Sequence, residues 1–200
     1  MHVLIVTARP GEASLTQALG RAVADGVEAA GATAEIADLA SEGFDPRFTA
    51  RDIEVHLATA VPDADVTAEQ RRLDRADALV LVYPIYWWSF PGLLKGWVDR
   101  VFCRGWAYEV NEADAVIEKR LTNLTVHLVA VGGAGLRTYA RHGYFGAMKL
   151  QIDHGVFDYC GATVATSELM ADPVPEAALE HARAIGRRAA LVRGALHRAA

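Results

Sequence analysis

The sequence predicts an α/β fold: a five-stranded parallel sheet covered by helices on both faces, with strands in the order 2-1-3-4-5. Three observations predict it. Short β-branched apolar runs alternate with stretches of helical spacing. The strand-like runs are apolar on successive residues, as in strands buried on both faces. The chain also opens on a strand–helix–strand unit, which suits a doubly wound sheet of this order.

The first strand is HVLIVTA, His2–Ala8. Ser14 can cap a helix that runs to about Ala30, where Gly31 stops it. TAEIADL, Thr33–Leu39, reads as the second strand, and a polar, less regular stretch with Pro46 and Pro62 fills Ala40 to Asp65. Thr67, with Gln70 three residues on, has the form of a capping box and predicts a short helix over Thr67–Asp77. ALVLVYP, Ala78–Pro84, is the third strand, followed by a helix from Pro91 to Phe102. The fourth strand, Thr122–Gly133, ends in glycines, and Tyr144–Tyr159 has helical spacing. Ala162–Leu169 is the fifth strand and Pro175–Arg198 the final helix.

At 200 residues, with 52% of them hydrophobic, the chain reads as one domain over 1–200 with room for a substantial core. Its net charge of −5 speaks against general nucleic-acid binding, which needs a basic surface. No apolar run is long enough to cross a bilayer, so membrane insertion is not expected. The start of the chain carries no basic leader and no cleavage site, so no signal peptide is expected. Cys103 and Cys160 form neither a disulfide framework nor a metal site, and no histidine pair has ligand spacing. A reducing cytoplasm is the expected compartment.

In a sheet of this order, ligands sit beyond the carboxyl ends of the strands. The loops after strands one, three and four gather there: Thr7–Thr16, Pro84–Gly92 and Gly132–Tyr144. The first enters a helix N-terminus, where free amides, the Ser14 and Thr16 hydroxyls and Arg9 suit a phosphate. The same residues also make a plain capped helix, and neither a G-x-G-x-x-G nor a P-loop is present. The second places Tyr86, Trp87 and Trp88 where a planar ligand can lie against rings and backbone amides. They serve equally as core or subunit-contact aromatics. Glycines in the third let backbone approach a ligand, or simply make tight turns.

The stretch PIYWWSFPGLLKGWVDRVF, with GWAYEV shortly after, resembles the flavin and active-site segment of the NAD(P)H:quinone oxidoreductases, the DT-diaphorase branch of the flavodoxin-like fold. The similarity extends over the first loop, AEQRRLDRAD, the double glycine and FDYCG, and fades over the last residues. The resemblance implies a flavodoxin-like three-layer sandwich and a homodimeric flavoenzyme, carrying hydride from NAD(P)H to flavin and then to a quinone by a ping-pong mechanism.

It further implies that Ser14, Leu15 and Thr16, with Arg9, hold the flavin's phosphates. Pro84, Ile85, Tyr86, Trp87 and Trp88 would line the isoalloxazine, and Gly132 and Gly133 would approach its polar edge. Gln70 matches a glutamine near the nucleotide half, which favours FAD over FMN. Trp106 and Tyr108 match aromatics that cover the substrate, often from the partner subunit, and Tyr144 joins them as a substrate contact. The family pairs a Tyr with a His six residues on. Here Tyr139 matches the Tyr, Phe145 stands at the histidine position, and His142 is the nearby substitute. Tyr139 and His142 are therefore the expected catalytic pair. Two further readings use the same apparatus: an FMN-dependent azo- or nitroreductase, and a flavin-binding regulatory subunit of a membrane transporter.

Overall fold

The computed structural model describes residues 1–11, 14–111, 113 and 116–191. Its main sheet has five parallel strands: β1 (His2–Thr7), β2 (Thr33–Asp38), β3 (Ala78–Pro84), β6 (Thr125–Gly132) and β7 (Thr163–Ala171). Their spatial order is β2-β1-β3-β6-β7, the expected 2-1-3-4-5. Alternation along each strand divides two cores. Leu4 and Val6 of β1 point to one face with Leu79, Leu81 and Leu128. Val3 and Ile5 point to the other with Val80, Val82 and Val129. Burying each such side chain contributes about 1.5–3 kcal/mol.

The second of these faces is covered by α1 (Leu15–Ala29) and α7 (Pro175–Ala189). On the other lie α3 (Ala64–Arg75), α4 (Gly92–Val101) and a helix that begins as α6 (Tyr144–Lys149) and continues in π geometry over Leu150–Asp158. The end of the expected final helix, 192–198, lies outside the described residues.

Five elements depart from expectation. The stretch taken as irregular contains α2 (Ala50–His56), whose start is a true capping box: Thr49 accepts from the Asp52 amide while Asp52 accepts from the Thr49 amide. The box expected at Thr67 does not exist. Helix α3 already begins at Ala64, and the Thr67 hydroxyl donates back to the Asp63 carbonyl. Short strands β4 (Tyr108–Asn111) and β5 (Val116–Lys119) form an antiparallel pair, and α5 (Leu136–His142) occupies most of the glycine-rich loop.

Arg100 of α4 is buried. It bonds Asp52 of α2, Asp65 of α3 and the Asp45 carbonyl, so that one guanidinium fastens the 45–65 segment to α4. A fork of donors fits this many acceptors where a lysine would not.

Candidate functional site

Parallel pairing fixes where the loops go. Thr7 pairs with Val82 and Pro84 with Val131, so β1, β3 and β6 all end at one edge and discharge their loops there. In the first loop, Ser14 has extended backbone and its oxygen accepts the Gln17 amide at 3.2 Å, and its own hydrogen has no acceptor among the described residues. Thr16 is buried in the first turn of α1 and Leu15 is half-buried beside it. Arg9 is half-buried and has no acidic partner among the described residues, which leaves a cation near a helix N-terminus.

The second loop turns back on itself at once. Tyr86 and Ser89 exchange backbone hydrogen bonds across a two-residue turn whose central residues, Trp87 and Trp88, have φ of 50° and 61°. Two positive φ values in sequence mark a type I′ turn, a conformation usually left to Asn-Gly. Holding two tryptophans there costs on the order of 1–3 kcal/mol each, strain that clusters at binding sites. The turn leaves the Trp87 and Trp88 amides without backbone acceptors among the described residues. It also puts Trp87 93% into solvent. Trp88 folds the other way: it stacks on Tyr144 at 3.8 Å and meets Tyr139 edge-on at 5.3 Å. Pro84 ends β3 in the core, while the Ile85 amide bonds the Val131 carbonyl and ties this loop to β6.

The third loop supplies Gly132 and Gly133. A Cβ on Gly132 would lie 2.2 Å from the Tyr139 hydroxyl oxygen, so only glycine lets that phenol lie across the strand end. Gly133 has open space around it. Tyr139 is buried, and burial pushes its phenol pKa up, so the hydroxyl keeps its proton at neutral pH. Ile85, Trp87, Trp88, Gly133, Ala134 and Tyr139 enclose a cavity of about 140 Å³. The second and third loops therefore meet around one slot, with the first at the same sheet edge.

A flavodoxin-like-fold family model matches residues 1–190. The ribosyldihydronicotinamide dehydrogenase [quinone] of Pongo abelii is 30% identical over 202 residues, spanning 90% of this chain and 85% of the relative. The Mus musculus enzyme of the same name is 29% identical over 84% of this chain and 80% of its own. The solved NAD(P)H:quinone oxidoreductase of Methanothermobacter marburgensis superposes with a TM-score of 0.86 at 27% identity, over 94% of this chain and 98% of that one. The chain belongs to the flavodoxin-like family of NAD(P)H:quinone oxidoreductases. It is thus an oxidoreductase, as the aromatic stretch implied. An azoreductase of Bacillus anthracis superposes with a TM-score of 0.71 at 15% identity, a likeness of fold alone.

In this family member the remaining expected residues scatter. Tyr86 is exposed at the rim of the turn. His142 stacks on the outer side of Tyr144, at 5.2 Å, so Tyr144 stands between it and Trp88. Gln70 is not brought to the slot: it is buried between α3 and α4, its amide donating to the Val101 carbonyl and the Cys103 thiol. Both hydrogens of that amide are thus engaged within the protein. Trp106 donates to Asp74 and packs edge-on against Phe102, away from the slot. Tyr108 lines a different cavity of about 340 Å³ with Phe48, His56, Phe102 and Tyr159.

Tyr159 and His56, which line that cavity with Tyr108, are not signalled as a cluster by the sequence. Their aromatic neighbours lie too far along the chain for spacing to reveal. No helix among the described residues is long and apolar enough to cross a membrane.

Proposed function

We propose that this chain is a flavin-dependent NAD(P)H:quinone oxidoreductase, taking hydride from a reduced nicotinamide and, after that product leaves, delivering it to a quinone. The observation that carries the reading is the strained Trp87–Trp88 turn, which offers free amides opposite a glycine backbone crossed by Tyr139. When bound, the flavin supplies the two-electron hydride chemistry. Everything else is the chain's to do.

Arg9, Ser14, Leu15 and Thr16 hold phosphate at the start of α1, where amides and dipole favour an anion. Ile85, Trp87 and Trp88 flank the ring, and the turn amides bond its polar edge. Gly132 and Gly133 let backbone approach from the other side. The Tyr139 hydroxyl, kept protonated by burial, donates to the edge where negative charge gathers on reduction. Tyr144, stacked on Trp88, extends the flat wall on which a second ring is positioned, with His142 behind it.

Protein purified without added cofactor should be yellow, and NADPH under anaerobic conditions should bleach it. Colourless protein that takes up no flavin on reconstitution would overturn the reading. FAD rests on the family resemblance alone once Gln70 is placed in the core; acid release and chromatography of the cofactor distinguish it from FMN. The same reading makes the protein a homodimer, with Tyr108 of one copy covering the slot of the other, and a sedimenting monomer with full turnover would remove that part. Two buried free thiols fit a reducing cytoplasm.

A further inference from the structure

The cavity that contains Tyr108 holds a polar arrangement that the proposed reaction has not used. His56, the last residue of α2, reaches across to α4. Its Nε2 lies 3.0 Å from the Asp99 carbonyl oxygen and its Nδ1 lies 3.2 Å from the Tyr108 hydroxyl. Asp99 sits in the last turn of α4, where a helix leaves carbonyls without partners of its own. A carbonyl only accepts, so Nε2 must carry the hydrogen. In the neutral imidazole Nδ1 is then a bare lone pair, and among the described residues the hydrogen that faces it is that of the Tyr108 hydroxyl. The imidazole cannot turn away, because the Asp99 bond holds one side and Phe48 packs against its ring at 5.6 Å. Arg100, through Asp52, fixes the helix that carries His56. Tyr108 is fixed as well, edge-on to Tyr159 at 5.2 Å, and burial pushes its pKa up, so its hydrogen stays on.

We propose that His56 is a positioning residue that sets the direction of the Tyr108 hydroxyl, so that this phenol meets a bound ring as a hydrogen-bond acceptor. The inference rests on the reading of Tyr108 as a substrate-facing residue. Turning the hydroxyl outward would set the phenol oxygen and Nδ1 lone pairs against each other and forfeit a partly buried hydrogen bond. A ring bearing an N–H or O–H, such as the carboxamide of a reduced nicotinamide, gains a bond from Tyr108. A quinone, which brings only carbonyl acceptors, gains none. The pair therefore biases one face of the cavity towards the hydride donor over the hydride acceptor.

Replacing His56 with Phe frees the Tyr108 hydroxyl to donate. The KM for NAD(P)H should rise about fivefold while the KM for a simple benzoquinone falls, a range set by the net worth of one hydrogen bond. Both constants moving in the same direction would mean that His56 is merely structural and would overturn the proposal. In a Tyr108→Phe background, His56→Phe should change neither; a further change there would equally overturn it. ¹⁵N NMR of the purified wild-type protein reads the tautomer directly, whether or not the variant folds. The Nε2–H form is expected, with an Nδ1 resonance that moves in Tyr108→Phe. A proton on Nδ1, or no movement, would sink the proposal. Absence of turnover would instead remove the proposed reaction and leave the NMR result to stand or fall by itself.

Discussion

Trp87 and Trp97 are the same side chain with opposite surroundings. Trp97, on α4, has no exposed surface; its indole N–H donates to Glu69 at 2.9 Å and its ring meets Phe102 edge-on. Trp87 stands in solvent on a left-handed backbone. The helix region satisfies its polar atoms and fills its volume; the turn region leaves amides open and carries strain. The contrast teaches that an aromatic run such as Tyr86-Trp87-Trp88 has to be judged by the backbone under it. Regular helix around Trp97 makes a core residue, whereas a two-residue turn pushes Trp87 out into solvent.

The comparison can be broken most directly at Trp97. Trp97→Ala should cost about 3–5 kcal/mol, through the cavity it leaves and the Glu69 carboxylate it strips of a partner. Urea denaturation would show it, and a loss below 1 kcal/mol would mean that this region is not the packed one.

The next largest effect comes from acid. His127, buried in β6, bonds Thr166 through Nδ1 and has no partner at Nε2 among the described residues. Burial, with Arg188 nearby, pushes its pKa down to about 4, with Glu168 opposing weakly. The unfolded chain takes up a proton near pH 6.5 that the folded one refuses until about pH 4. Stability should therefore fall as pH drops through that window, by roughly 3 kcal/mol at most, and level off below it. His127→Val should flatten the slope in denaturation measured between those pH values.

Gly132→Ala tests the slot itself. The added methyl must push Tyr139 off the strand end, costing about 1–3 kcal/mol of stability and most of the flavin affinity, with partial recovery in Tyr139→Phe. Calorimetry and flavin titration measure the two parts. Trp87→Gly has the smallest effect and the opposite sign. Relieving one positive φ should stabilise the fold by about 1 kcal/mol while weakening flavin binding about tenfold. A variant that loses stability would deny the strain.

Strand periodicity carried the sheet order and the edge where loops gather, because β1, β3 and β6 bury both faces and write that into every residue. Tertiary partners hid the rest. Arg100 looks like a surface charge because Asp52 and Asp65 lie far from it in sequence. The α2 helix was lost among prolines and polar residues, though Thr49 and Asp52 form a box with a shorter acid than the usual Glu or Gln. Thr67 and Gln70 imitated that box inside a helix already begun. The Trp87–Trp88 turn lacks the glycine or asparagine that normally announces one, so its backbone could not be read from residue types. Nor does helical spacing distinguish the π geometry of Leu150–Asp158 from ordinary helix.

The single guanidinium that grips both Asp52 and Asp65 has a consequence for how this chain tolerates changes of length. Between those anchors the peptide passes through Leu57 and Val61, both exposed. Because each end is pinned independently, extra residues added at 58–62 would lengthen a closed loop whose entropic penalty grows only with the logarithm of its size. That short span is where insertions can accumulate while α2 and α3 keep their places.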